Sequence, residues 1–233
     1  RFTTWTDTCT LHPNLLLPFY NCTMPKPTFL NLPEDKRNSF TEIALKEFSE
    51  NDYNSASVSK IVERAGIAKG SVYQYFEDKQ DLFLYLVDVS SKRMMEYISQ
   101  TPPPVLESDF FAMLRWQMSA TIQASAAFPL HSNLLRRAYS SPLPFRDKVF
   151  EQAKEIRKQH FSSMIEQAQL EGKLDPGFRP EVASFFIQAV MSELGVFLQE
   201  KFASHRGDWL ELPEVDLIFD DVITILRSGL EKR

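Results

Sequence analysis

A chain of 233 residues with 43% apolar residues and a net charge of −5 is long enough to bury a core in one large or two small domains. It contains no run approaching the ~20 apolar residues of a membrane span. Its two cysteines, Cys9 and Cys22, both precede the body of the chain, so neither a disulfide framework nor a repeated-cysteine metal site is available there, and a reducing cytoplasm is the expected location.

Residues 1–31 lack helical period and are expected to form an N-terminal extension that is disordered or foreign to the native protein, with Met24 as the expected native start. A first helix should begin near Pro33, a good first-turn residue, with Glu34 and Asp35 set against the helix dipole. Phe40, Ile43, Ala44 and Phe48 form its apolar stripe, and Asn51-Asp52-Tyr53-Asn54 breaks it. Tyr53 is either a plug between helices or a phosphate contact, with the core role weighted more heavily.

The stretch from Ser57 to Phe76, SVSKIVERAGIAKGSVYQYF, has the pattern of two short helices meeting at a glycine turn. Ser57 stands where a hydroxyl can cap the first of them, and Val58, Ile61, Val62 and Ala65 give it one apolar face. Gly66 ends it, and Ile67 packs back into the angle. In the second helix Val72, Tyr75 and Phe76 point inward, which leaves Lys69, Gly70, Ser71, Tyr73 and Gln74 facing away. That outer face suits a helix inserted N-terminus first into the DNA major groove. Gly70 admits a close backbone approach, Ser71 and Gln74 reach base edges, and Lys69 and Tyr73 reach phosphates.

The string KGSVYQYF after a helix and AGIA, followed by EDKQDLF, resembles the DNA-binding domain of the TetR family of transcriptional regulators over about Leu32 to Val89. The resemblance implies an all-α homodimeric repressor, with an N-terminal three-helix helix-turn-helix domain at 32–77 and a helical ligand-binding and dimerisation domain at 100–233. It implies double-stranded DNA with a palindromic operator as partner, and DNA-binding residues at Ser57, Ser59, Lys69, Gly70, Ser71, Tyr73, Gln74, Tyr75 and Lys79. Charge speaks against DNA: from Glu34 to Lys79 seven Lys and Arg face nine Asp and Glu. The basic footprint usual in a DNA binder is missing.

Asp78 and Asp81 approximate a capping box at the start of a connecting helix, 78–99, that carries Leu82, Phe83, Leu86, Val89 and Ile98 inward. Thr101-Pro102-Pro103-Pro104 marks the domain break. Beyond it helices are expected from Phe110 to about Ser125, where Pro129 interrupts, and around Leu134, Leu135 and Ala138. Three more are expected, Phe145 to Glu171, Pro180 to Phe202 and Pro213 to Leu230.

The last two helices carry more apolar surface than one lobe needs. Leu217, Ile218, Val222, Ile225 and Leu226, with Phe186, Ala189, Val190, Glu193 and Phe197, are expected to pair with a second copy as a four-helix bundle. Met113, Trp116, Phe145, Phe161, Met164 and Phe185 are the candidate lining of a pocket for an unknown, largely apolar small-molecule effector, against the competing reading that they are simply core.

His131, His160 and His205 have no carboxylate or cysteine spacing beside them, so no metal site is assigned, and no cofactor is implied. An enzyme is the rival class, but G-x-S-x-G, H-E-x-x-H, a phosphate loop and the dinucleotide glycines are all missing. A protein-binding helical adaptor is the other rival, and the small polar face of Lys69 to Gln74 does not suit it.

Overall fold

The computed structural model describes residues 25–103, 109–140, 142–145, 151–202, 204–205 and 209–230, for 151–160 the backbone alone. The expectations for Cys9, Cys22 and Met24, and for the side chain of His160, lie outside the described residues. Within them the fold is all-α, as expected. The helices are α1 Pro27–Leu30, α2 Glu34–Glu50, α3 Val58–Arg64, α4 Lys69–Tyr75, α5 Lys79–Ser99, α6 Phe110–Ala127, α7 Pro129–Ser140, α8 Glu151–Leu170, α9 Pro180–Lys201 and α10 Pro213–Leu230, with a 3-10 turn at Trp209–Glu211.

Proline and short polar side chains set most of these boundaries. Pro180 and Pro213 occupy first-turn positions, where a missing N–H costs nothing. Pro129 acts in the same way. It does not merely interrupt a helix but opens α7, which runs well upstream of the short helix expected around Leu134. At the start of α5, Asp78 Oδ1 accepts from Asp81 N at 2.9 Å and Asp81 Oδ2 accepts from Glu77 N at 3.0 Å, close to the capping box the sequence suggests but with the return bond one residue before the cap.

The described residues divide into two compact units. One takes those up to Tyr97 and from Ala124 to Ala153; the other takes Ile98 to Gln123 and Lys154 onward. The first unit is centred on Phe29, Phe40, Phe48, Phe76, Phe83, Leu82 and Leu86, all buried. The second is centred on Phe110, Phe111, Leu114, Met118, Ile165, Ile187, Leu198 and Phe219.

The first unit therefore extends past both limits expected for the DNA-binding domain. At its start, Phe29 is fully buried among Phe40, Tyr75, Phe76 and Tyr85, so the unit already includes α1, which sequence pattern alone places in the extension. At its far side, α7, which lies in the stretch expected to form the C-terminal domain, packs with this unit, because Leu134 and Ala138 bury against the cluster that holds α2. Arg137 of α7 then caps the end of α2, donating to Ser49 O at 2.9 Å and Glu50 O at 3.2 Å and pairing with Asp52. These are carbonyls a helix end leaves without intrahelical partners.

In the second unit, α9 packs against α10, and Arg115 ties α6 to α10 through Asp216 at 3.0 Å and Asp220 at 2.7 Å. By length and composition α9 is apolar enough to cross a membrane, contrary to the expectation that no segment approaches this. Its inner side, Ala183, Ser184, Ile187, Leu194 and Leu198, is built into the core, and Glu193 stands exposed in its second half. The opposite side, with Val182, Phe185, Phe186, Val196 and Phe197, is apolar and exposed.

Candidate nucleic-acid interface

The corner between α3 and α4 is assembled from local chemistry. Ser57 Oγ accepts from Lys60 N at 3.3 Å and caps α3. At the other end Gly66 takes φ +64, Gly66 N bonds Glu63 O at 3.2 Å, and Ile67 N bonds Val62 O at 3.1 Å. This paired closure needs a left-handed residue at Gly66, which a residue with a side chain adopts only under strain. Ile61 and Val62 are buried, Ile67 packs beside them, and α4 leaves the corner with Val72 pointing into the core.

Lys69, Gly70, Tyr73 and Gln74 are exposed along one side of α4 and Ser71 is half-buried, while Ser59 is exposed on α3. A Cβ built on Gly70 meets nothing within 4 Å, so the fold itself does not demand glycine there.

Two residues that the resemblance adds to the DNA contacts, Tyr75 and Lys79, do not face outward with the others. Tyr75 turns inward against Phe29 and Phe40, with ring centroids 5.6 and 6.1 Å away, because it shares the inner side of α4 with Val72. Lys79 does not reach outward. Its ammonium donates to Asn54 O at 3.3 Å and lies 4.7 Å over the Tyr53 ring. Burial pushes the Lys79 ammonium below its usual range, against the pull of Glu47. Tyr53 itself is the core plug, packed edge-on against Phe83 and Phe145, and burial followed by the charge of Asp78 raises its phenol.

Three further groups shape the interface, and none was expected from the sequence to do so. Glu47 is buried, with Oε1 accepting from Ser57 N at 3.0 Å and Oε2 from Arg64 at 3.3 Å, so a residue of α2 fixes both ends of α3. Arg137 caps α2. Lys26 and Thr28 grip the end of α4: Lys26 N donates to Tyr75 O at 2.9 Å, Lys26 Nζ to Tyr73 O at 3.0 Å, and Thr28 Oγ1 to Gln74 O. Lys26 also pairs with Glu77 at 2.6 Å, and its hydrogen bond and charge hold that carboxyl below the usual range. A buried Glu at i, with a Ser ten residues on and an Arg seven beyond that, is a signal that helix periodicity does not supply.

The same contacts bear on the acidic excess counted between Glu34 and Lys79. Glu47 is engaged by Arg64, and Asp52 and Glu77 by Arg137 and Lys26, two cations that lie outside the counted window. Lys60 and Lys69 meanwhile stay exposed near the corner.

The six candidate pocket residues separate. Phe161 is buried in the second core and Met164 is packed against it, while Met113 and Trp116 on α6 are half-buried in the same unit. Phe145 is in the other unit, against Tyr53 and Phe83. Phe185 is 72% exposed on α9, because it falls opposite the inward Ser184 and Ile187. Within the second unit two buried polar atoms, Trp116 Nε1 and Ser162 Oγ, make no hydrogen bond.

Of the expected pairing residues, Phe186, Phe197, Leu217 and Ile225 are exposed and Leu226 is not. Leu226 is buried in its own subunit's core beside Ile223 and Phe219. Val182, Phe185 and Val196 extend the exposed apolar side of α9. His131 Nδ1 meets Ser90 Oγ at 2.9 Å and His205 is exposed; among the described residues no cluster could hold a metal ion.

Residues 41–86 match the family described as "Bacterial regulatory proteins, tetR family", and residues 108–231 match "Tetracyclin repressor-like, C-terminal domain". The repressor AcnR of Corynebacterium glutamicum is 34% identical over 68 residues, which are 29% of this chain and 36% of that protein. The fatty acid metabolism regulator of Bacillus subtilis is 31% identical over 77 residues, 32% of this chain and 38% of that protein. The chain thus spans little more than a third of the length of these curated relatives. Among solved structures, a TetR family regulator from Chloroflexus aurantiacus is 37% identical, with a TM-score of 0.75 over 90% of this chain and 100% of its own. FadR of Bacillus subtilis, solved in complex with stearoyl-CoA, shares the fold at 20% identity, with a TM-score of 0.60 over 82% of this chain and 98% of its own.

Proposed function

Because the chain belongs to the TetR family of bacterial regulatory proteins, a family of transcriptional regulators and not of enzymes, we propose that it is a cytoplasmic homodimeric repressor. It binds a palindromic operator and is released by a small, largely apolar ligand held in the C-terminal unit. The observation that carries the DNA reading is the exposed, small and polar side of α4, with open space over Gly70, on a helix whose other side is sealed into an aromatic core. A helix presented in this way fits the major groove.

In this reading Gln74 and Ser71 contact base edges, Lys69 and Tyr73 contact phosphates, Gly70 lets the backbone approach, and Ser57 and Ser59 flank the contact from α3. Lys79 acts indirectly, by holding Tyr53. Two copies paired through the exposed side of α9 and α10 place two reading helices on one operator, and half-sites one helical turn apart, about 34 Å, match such a dimer. Support for the ligand comes from Trp116 Nε1 and Ser162 Oγ. Buried polar atoms without partners are costly, and a ligand group or a water would complete them.

Selection from random double-stranded DNA at two salt concentrations tests this reading. Enrichment of a two-fold palindrome is expected, with Tyr73→Phe weakening all sequences alike. Folded protein that enriches no sequence even at low salt would overturn it.

A further inference from the structure

Between Lys26 and Phe29 the chain does more than fill space beside α4. A helix leaves its last carbonyls without partners, and in α4 the first of these, Val72 O, is taken by Phe76 N at 2.8 Å. The remaining three belong to Tyr73, Gln74 and Tyr75, and each is met by a donor from this one segment: Lys26 Nζ, Thr28 Oγ1 and Lys26 N respectively. The ammonium of Lys26 also sits at the negative end of the helix dipole, and its pairing with Glu77 at 2.6 Å keeps it there. Phe29, fully buried between Phe40, Tyr75 and Phe76, anchors the segment. With seven residues α4 is too short to hold its geometry alone.

We infer that Lys26–Phe29 is a positioning strap for the reading helix, so that Lys26 and Thr28 set operator discrimination without reading a base. Two of the carbonyls they hold belong to Tyr73 and Gln74, so releasing them lets the outward side chains of those residues move relative to α3. Thr28 and Lys26 thereby tune specificity through the pitch of α4. The inference rests on the proposed DNA-binding role.

The test compares the full chain with a Lys26→Met, Thr28→Val double variant and with a conservative Lys26→Arg, Thr28→Ser variant. For each, affinity for the selected operator and for scrambled DNA is measured well below the melting temperature, with circular dichroism as the check on folding. The double variant is expected to lose about tenfold in the operator-to-scrambled ratio, the scale of one good base contact, on top of any weakening common to all sequences from the displaced Tyr73. The conservative variant should recover most of that ratio. A wild type that discriminates, alongside a double variant that discriminates equally well while only its melting temperature falls, overturns the inference and leaves the DNA-binding reading intact. A wild type with no discrimination overturns both. If the double variant does not fold, the same ratio measured for Thr28→Val alone decides: a fall supports the strap, and an unchanged ratio overturns it.

Discussion

Helices α4 and α9 both present a side that no neighbouring helix of their own unit covers, yet the two sides are made of different material. On α4 it is Lys69, Gly70, Tyr73 and Gln74; on α9 it is Val182, Phe185, Phe186, Val196 and Phe197. The first can stay hydrated at no cost and gains only from a partner with its own polar edges, such as a base pair and its phosphates. The second loses about 2 kcal/mol for each large side chain left in water, and an identical copy of itself removes that loss twice over. The proposed function rests on that difference in chemistry, giving the polar side to DNA and the apolar side to a second copy.

The largest effect should come from charging the apolar side. Phe185→Glu with Phe197→Glu is expected to leave each subunit folded and to abolish dimers in analytical ultracentrifugation, each site costing on the order of 2–4 kcal/mol of association. A variant that remains dimeric would move the interface away from α9. Next is the support behind the polar side. Glu47→Leu leaves Ser57 N and Arg64 without their acceptor, so urea unfolding should show a loss of about 2 kcal/mol.

Gln74→Ala acts on recognition alone. Operator affinity should fall by about 1–3 kcal/mol with thermal stability unchanged, and full retention of sequence preference would remove Gln74 from the base contacts. Gly70→Ala sharpens the comparison further, because stability and function should move in opposite directions. Replacing helical glycine by alanine stabilises by about 0.5–1 kcal/mol where there is room, whereas the added methyl blocks approach to DNA and lowers operator affinity.

The smallest expected effect is a pH dependence at His131, where burial first and the charge of Arg93 second hold the imidazole below its ordinary value of 6.5. As pH falls below 6.5 the unfolded chain takes up the proton before the folded one does. Stability should therefore be complete above that value and should decline from there toward the depressed folded value. Melting temperatures at about pH 7.5 and 5.5 should differ by less in His131→Gln than in wild type.

The corner from Ser57 to Phe76 was legible in the sequence because its signals are local: a hydroxyl cap, a glycine at the one left-handed position, and apolar residues at helical spacing. The same logic placed Phe40, Ala44 and Phe48 on the apolar stripe of α2 and Leu82, Phe83 and Leu86 inward on α5, where the structure has them buried. It did not settle Phe145 and Phe185, aromatic residues whose type suits either a pocket or a core and whose direction is set only by what packs against them: Phe145 is buried and Phe185 is exposed.

Sequence alone thus determined the longer helices α2, α5, α9 and α10, the glycine turn and the polar side of α4, since each depends on residues within a turn or two of one another. Tertiary structure decided which carbonyls find donors and which aromatics face out. Lys26 reaches Tyr73 across 47 positions and Arg137 reaches Ser49 across 88. Over such separations only the packing of the folded chain brings a donor to an orphaned acceptor, and no local pattern encodes the meeting.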